Sequence, residues 1–313
     1  MIRCFLGIDT SCYTTSVAVL TEAGELLTDS RKLLQVKPGS RGLAQSEMVF
    51  QHSRNLPQLF EDVFLHLQAE AGIAGIGVSA YPRPLPTSYM PAFLVGEGYA
   101  KVLAAMQKCK LKRISHQENH IGAGIWSAGG PFIEEFLAVH VSGGTTEVVH
   151  VIHKESMAVT LLGTSCDLHA GQFVDRVGVA LGLPFPAGPH LEKLAAAGRQ
   201  KKLVLPVAVQ GLHVSFSGPE THVMRLIKQN ADAAAVAAGV EVCIADSIYK
   251  MISAAVKQTQ IFHVLLVGGV TSNTFIRQYI TEKLTAEQVK LYCPQKQFSG
   301  DNAVGAAFFA LTS

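Results

Sequence analysis

The chain has 313 residues, a formal net charge of +2, 48% hydrophobic residues and 16% charged residues, against a usual charged share of about 25%. These figures exclude an intrinsically disordered chain, which needs low hydrophobicity or high net charge, and a nucleic-acid binder driven by a basic tail. The length suits two domains or one large split domain.

In chain order, a buried strand is expected over residues 3–9, followed by the turn Thr10-Ser11-Cys12-Tyr13-Thr14-Thr15 and strands at 16–20 and 26–33. A helix with an internal proline, Pro57, is expected over 47–71. A strand at 73–80, a helix at 94–108, a strand at 111–115 and a helix at 116–126 follow. The opening pattern then returns: a strand at 136–141, the turn Ser142-Gly143-Gly144-Thr145-Thr146, and strands at 147–153 and 157–162. Helices are expected at 171–183, 188–197, 219–229 and 231–259, then a strand at 264–267, a helix from 272, a strand at 289–293 and a last helix from 301. The repeat recurs after about 130 residues, far beyond solenoid spacing. It implies an α/β protein of two duplicated lobes, 1–133 and 134–313, the second with a helical insertion. Two such lobes around a cleft describe the actin-like ATPase and sugar-kinase architecture. GxxxxGK[ST] and a strand-following GxGxxG are both missing, which argues against P-loop and Rossmann sites.

Six cysteines are scattered, with no CxxC pair, and read as free thiols in a reducing compartment. Residues 4–8 are too short a run for a signal peptide. The alanine-rich stretch 231–245 is interrupted by Asp232 and Glu241 and reads as a buried helix. A soluble, cytoplasmic protein without a membrane segment is expected.

His116 and His120 are spaced i, i+4, so on a helix they share a face about 5–6 Å apart, which suits one metal ion as well as it suits two ordinary surface histidines. Gln117 stands where a zincin has its glutamate, which argues against a metalloprotease. His140, before the Ser142-Gly143-Gly144 turn, is either a core histidine or a further ligand. Asp301 is either a helix N-cap or a hard oxygen ligand beside the imidazoles. The glycine turns at 142–144 and 268–269 can present backbone N–H groups to phosphate. Asp175 and Glu192 can accept from ribose hydroxyls, and Asn273 belongs to the first turn of a helix.

The ordered set His-x-x-x-His, Val-Ser-Gly-Gly, Gly-x-x-x-Asp, Pro-x-Gly-Pro-x-x-Glu-Lys, Ser-Phe-Ser-Gly, Gly-Gly-Val-x-x-Asn and Asp-Asn resembles the TsaD/Gcp family nearly end to end. Members are tRNA threonylcarbamoyladenosine synthases, formerly described as O-sialoglycoprotein endopeptidases. The resemblance implies transfer of a threonylcarbamoyl group from threonylcarbamoyl-AMP to N6 of the adenosine beside the tRNA anticodon. It implies one metal ion, iron with zinc as the alternative, on His116, His120 and Asp301, with His140 in the slot of a fourth ligand. It implies an adenylate pocket of Val141, Ser142, Gly143, Gly144, Asp175, Gly188, Glu192 and Asn273. The catalytic role is placed on Thr10 and Ser11. A TsaB-like paralogue and other threonylcarbamoyl-transfer components are the implied protein partners. For tRNA phosphates the candidates are Lys101, Lys108, Lys110, Lys112, Arg113, Arg199, Lys201 and Lys202.

Several positions depart from the family pattern. Tyr13 and Thr14 stand where members carry Asp and Glu, Leu168 replaces an Asp, and Gln172 replaces a Glu. Thr145 replaces a common His, and Tyr81-Pro82-Arg83-Pro84 replaces a Gly-Pro-Gly segment. The alternative is therefore a diverged metal- and nucleotide-binding paralogue with altered or no transferase activity. A small-molecule kinase on the same fold is a further reading, but a two-histidine site suits Mg²⁺–ATP poorly.

Overall fold

β1 (Ile2–Asp9) turns directly into β2 (Thr14–Thr21) and β3 (Leu26–Leu33), an antiparallel meander in which Asp9 pairs with Ser16 and Thr14 with Leu33. Helix α1 (Gln45–His66) leads to β4 (Ala71–Tyr81), α2 (Phe93–Gln107), β5 (Lys110–Ser115) and α3 (His116–Ala128). The sheet order is β3-β2-β1-β4-β5, with β4 parallel to β1 and to β5. The last six residues of β1 are all buried, as expected of a central strand covered on both faces. The computed structural model describes residues 2–36, 43–67, 71–154 and 157–313. Residues 68–70 of the helix expected over 47–71 lie outside the described residues; α1 ends at His66, and Ala71 already belongs to β4.

The meander recurs as β6 (Glu135–Val141), β7 (Thr146–His153) and β8 (Met157–Thr164). Then come α4 (Ala170–Ala180), α5 (Gly188–Gly198), the hairpin β9 (Ala208–Gln210) and β10 (His213–Ser215), and α6 (Ser217–Lys228). Helix α7 (Ala233–Thr259), β11 (His263–Val267), α8 (Thr274–Ala286), β12 (Lys290–Tyr292) and α9 (Val304–Leu311) complete the chain. This sheet runs β12-β11-β6-β7-β8, which is the order of the first sheet with β6, β11 and β12 in the places of β1, β4 and β5. The expected duplication is thus present at the level of topology.

Two units make up the chain, Met1–Gly130 with Phe298–Ser313, and Pro131–Gln297. The last helix, assigned by chain order to the 134–313 lobe, therefore packs in the first unit. The reason is close packing of small residues: a Cβ added to Gly7 would lie 2.0 Å from the Ala303 carbonyl oxygen, and one on Gly77 would lie 1.9 Å from that of Ala306. Only glycine lets α9 approach β1 and β4 so closely.

The core of the first unit joins Leu6, Ile8, Val17 and Val19 to Leu56, Val63 and Val78. That of the second joins β6 and β11 to α7, whose buried faces run from Ala235 to Val256. α7 is buried nearly all round, which accounts for its alanine-rich, apolar sequence. Among the described residues no helix is long and apolar enough to cross a membrane. All six cysteines are free, and Cys166 is exposed.

The hairpin β9–β10 escapes sequence reading because three-residue strands carry little pattern. Its one local signal is Gly211, whose φ of +58° closes the turn. Asp167 fastens this hairpin to the start of α4, accepting from the Ser215 hydroxyl and from the backbone N–H groups of Leu168 and Phe216. Burial would raise its carboxyl, but these donors, with Ser217, outweigh it and hold the group at about 2.

Candidate metal centre and nucleotide pocket

Helix α3 begins directly at His116 because Ser115 closes a full capping box with Glu118. The Ser115 hydroxyl accepts from the Glu118 N–H at 3.1 Å, and the Glu118 carboxylate accepts from the Ser115 N–H at 2.6 Å. Glu118 is thereby spent on the helix start, and the first two turns of α3 present the two histidines together. Their ring centroids lie 4.5 Å apart and their Nε2 atoms 3.1 Å apart. Asp301 meets both: its Oδ1 lies 3.6 Å from His116 Nε2 and 3.3 Å from His120 Nε2. Asp301 is not a helix N-cap, since α9 starts at Val304.

Asn119, between the two histidines, explains why Asp301 arrives there. Its side-chain N–H donates to the Asn302 carbonyl at 2.6 Å, and its Oδ1 accepts from the Ala306 N–H at 2.8 Å. Asn302 in turn donates to the carbonyls of Phe298 and Gly300. Both asparagines are 1% exposed. Sequence reasoning passes over Asn119, although the Asp-Asn motif already hints that Asn302 serves the segment rather than the ligand.

The triangle of Nε2, Nε2 and Oδ1 fits a divalent ion. Ligand bonds of about 2.0–2.2 Å place adjacent donors about 3.0–3.5 Å apart, and the three edges here run from 3.1 to 3.6 Å. The donor set, two imidazoles and a carboxylate, is that of zinc or non-haem iron. Burial would pull the His116 pKa down, but the Asp9 carboxylate, with Cys12, carries it well above the ordinary value. His120 is lowered, first by burial and then by the neighbouring His116. Two imidazoles this close do not both hold a charge, and a cation between them removes the conflict.

Thr10 and Ser11 are fully buried, and both hydroxyls are engaged. Thr10 donates to the Ala92 carbonyl and accepts from the Gly96 N–H, each at 3.0 Å, tying the end of β1 to the start of α2. Ser11 donates to Asp9 Oδ2 at 2.8 Å. Asp9 approaches the candidate metal cluster through His116 Nδ1, 3.7 Å from its Oδ1.

In the second unit, Gly143, Asp175, Gly188, Glu192 and Asn273 line one cavity of about 240 Å³. Its walls include Val174, Leu191, Ile244 and Ile276, an apolar slot with polar groups at its rim. Gly143 lies there because Gly171 permits it: a Cβ on Gly171 would come within 2.6 Å of the Gly143 backbone. Gly268, at φ +104°, likewise passes beside the Val141 carbonyl, where a Cβ would come to 2.3 Å. Val141 is buried at the end of β6 and, like Ser142 and Gly144, does not line the cavity. His140 is 5% exposed, one residue earlier on β6, and belongs to this second unit.

Several pocket residues also hold the fold. Asp175 accepts from the Ala187 N–H at 2.7 Å, and burial raises its carboxyl. Glu192 accepts from the Thr274 N–H at 2.8 Å. Asn273 is the N-cap of α8, accepting from the Ile276 N–H, and its amide donates to Glu241 at 2.7 Å. Glu241, 1% exposed on α7, also takes the Arg199 guanidinium at 3.1 Å. Burial raises its carboxyl, against the pull of Asn273 and Arg199. The sequence signal for Glu241 is a charge in the middle of an apolar helix, where a carboxylate stays only if it is paired.

The tRNA N6-adenosine threonylcarbamoyltransferase family, TsaD, matches residues 29–308. The chain is 28% identical over 98% of its length to a Methanocaldococcus jannaschii protein named probable bifunctional tRNA threonylcarbamoyladenosine biosynthesis protein, and spans 54% of that protein. It is 30% identical to the tRNA N6-adenosine threonylcarbamoyltransferase of Thermosipho melanesiensis, over 95% of this chain and 91% of the relative. Among solved structures, T. kodakarensis HypF superimposes with a TM-score of 0.66 at 13% identity, over 99% of this chain and 47% of that one. That likeness carries the fold alone, the actin-like ATPase fold. The sequence match, extending across both the histidine pair and the glycine-lined pocket, places this chain in the tRNA N6-adenosine threonylcarbamoyltransferase family.

Proposed function

We propose that this chain transfers the threonylcarbamoyl group of threonylcarbamoyl-AMP to N6 of the tRNA adenosine beside the anticodon. The observation that carries the reading is the His116–His120–Asp301 triangle, kept at ligand spacing in a member of this family. In the reaction the bond from the carbamoyl carbon to the phosphate oxygen breaks, that carbon bonds to N6, and N6 sheds a proton. A bound iron or zinc ion would supply a Lewis acid for the acyl carbonyl. The protein's share is positioning. Asp175, Glu192 and Asn273 hold the nucleoside, and Gly143 and Gly188, with open space where a side chain would stand, let the phosphate approach backbone. Ser11 acts through Asp9, which it holds in place. A TsaB-like partner and cytoplasmic tRNA complete the setting.

A second reading, a paralogue with an altered acceptor or no transfer, is favoured by what fills the positions of the missing acids. Tyr13 packs against Leu34, Met48 and Ala92; Leu168 is 5% exposed; the Gln172 side chain caps the start of α4 by accepting from the His169 N–H. These residues do structural work in place of an acid. The deciding experiment incubates purified protein with tRNA and threonylcarbamoyl-AMP, with and without a TsaB-like partner. Modified adenosine supports transfer, with loss of product and of bound metal in His116→Ala. No product with metal and nucleotide still bound selects the paralogue.

A further inference from the structure

The turn between β1 and β2 brings a thiol beside two of the three candidate ligands, His116 and Asp301. Cys12 Sγ, a ring nitrogen of His116 and a carboxylate oxygen of Asp301 all lie within 4.8 Å of one another. These atoms come from distant parts of the sequence: the first turn, the start of α3 and the segment before α9. All belong to the first unit. Cys12 is half-buried rather than packed in the core, unlike Cys4 and Cys243. A second group also faces the cluster. Asp9 is fully buried, and neither its Oδ1 nor His116 Nδ1, 3.7 Å away, has a hydrogen-bond partner among the described residues. A carboxylate beside the second ring nitrogen is the usual orienting partner of a ligating histidine; here the two buried atoms stand 3.7 Å apart, just short of that hydrogen bond, and both are left to be satisfied if the cluster closes on an ion.

We propose that Cys12 is a protein ligand of this ion, giving a two-imidazole, one-carboxylate, one-thiolate donor set. The inference rests on the metal reading of His116, His120 and Asp301. On binding, the Cys12 S–H bond breaks, its proton goes to solvent and a metal–sulfur bond forms, with no change of oxidation state. A thiolate bond to zinc is about 2.3 Å long, so on binding the sulfur would close in from within the 4.8 Å that separates it from the His116 nitrogen and the Asp301 oxygen. The thiolate makes the site softer than nitrogen and oxygen alone would. It selects zinc or ferrous iron and turns away magnesium, which demands oxygen. It also couples the site to the turn that carries Thr10 and Ser11, because the same four residues run from Asp9 to Cys12.

Cobalt(II) is the probe. Metal-free full-length protein titrated with Co²⁺ is expected to bind one ion and to develop a sulfur-to-cobalt charge-transfer band in the near ultraviolet. Cys12→Ser is expected to bind Co²⁺ about tenfold or more weakly, without that band. Stoichiometric, His116-dependent cobalt binding with no sulfur band, or a band that survives in Cys12→Ser, overturns the proposal and leaves the three-ligand site standing. Cobalt binding that is unaffected in His116→Ala overturns the underlying site itself, and the proposal with it. A second measurement needs no variant. Iodoacetamide labelling, read peptide by peptide, is expected to slow at Cys12 when Co²⁺ or Zn²⁺ is bound, while the exposed Cys166 labels at the same rate. Equal labelling of Cys12 with and without metal overturns the ligand assignment.

Discussion

Asp9 ends β1 with one carboxylate oxygen held by Ser11 and the other turned toward His116 Nδ1. When Nδ1 carries the ring proton, the Nε2 lone pair is left for an ion, and the Asp9 carboxylate is the group placed to favour that tautomer. Asp9 is therefore a positioning residue, one imidazole ring removed from the candidate metal position. Asp9→Asn keeps the volume and the Ser11 contact but can turn an N–H toward His116 and favour the wrong tautomer. Its metal affinity is expected to fall by about 10–100-fold, measured by competition with a chelator. Thermal stability separates this from simple damage. A large fall in affinity at an unchanged melting temperature marks positioning, and equal affinity in the variant refutes the role. Thr10, by contrast, shares its hydroxyl between Ala92 and Gly96 and is spent on the joint between β1 and α2. Adjacent residues in one turn thus serve the site by different routes, and the sequence alone does not separate them.

At the scale of elements, α9 is what delivers Asp301, and it does so by contact between small residues. Gly77 on β4 meets the Ala306 backbone and Gly305 meets that of Asn119, each with room for no side chain. The atoms in the way are backbone, which cannot step aside. Gly77→Ala is expected to destabilise the protein by about 1–3 kcal/mol by overpacking, and to weaken metal binding in parallel because Asp301 shifts with the helix. Thermal melts and metal content of the same sample check this; metal loss without a fall in melting temperature counts against a link through α9. How much of this was legible follows the range of each interaction. The strands of the two five-stranded sheets and most helices were readable within a few residues, because burial periodicity is local. So was the histidine pair, since helical spacing of i, i+4 is local too. The placement of α9 in the first unit was not, because the glycines that admit it lie on β1 and β4, more than two hundred residues earlier in the chain. The nearness of Cys12 to Asp301 and the pairing of Glu241 with Arg199 and Asn273 were hidden for the same reason. In the nucleotide pocket, glycine turns signalled close approach, but the fold-holding bonds of Asp175 and Glu192 only appear once α5 and α8 are in place.

For the whole molecule, a net charge of +2 limits how tRNA can be held. The structure divides the basic candidates sharply. Lys101 and Arg113 both pair with Glu97, Lys201 pairs with Asp232, and Arg199 pairs with Glu241. Lys108, Lys110, Lys112 and Lys202 make no ion pair among the described residues. Lys110 and Lys112 alternate with the same spacing on β5, so they share one face of an edge strand. Edge lysines have an ordinary use, blocking unwanted strand pairing, and that use needs no nucleic acid. Salt dependence separates the two roles. If these four lysines are the phosphate contacts, log affinity for tRNA against log salt concentration should slope at about −3 to −4. That is shallow for a nucleic-acid binder, yet it still costs about two orders of magnitude between 50 and 200 mM salt. Lys110→Glu and Lys112→Glu should each flatten the slope by about one. If the slope stays put while the variants aggregate, the lysines guard the edge of β5, and the main hold on tRNA comes from a partner protein.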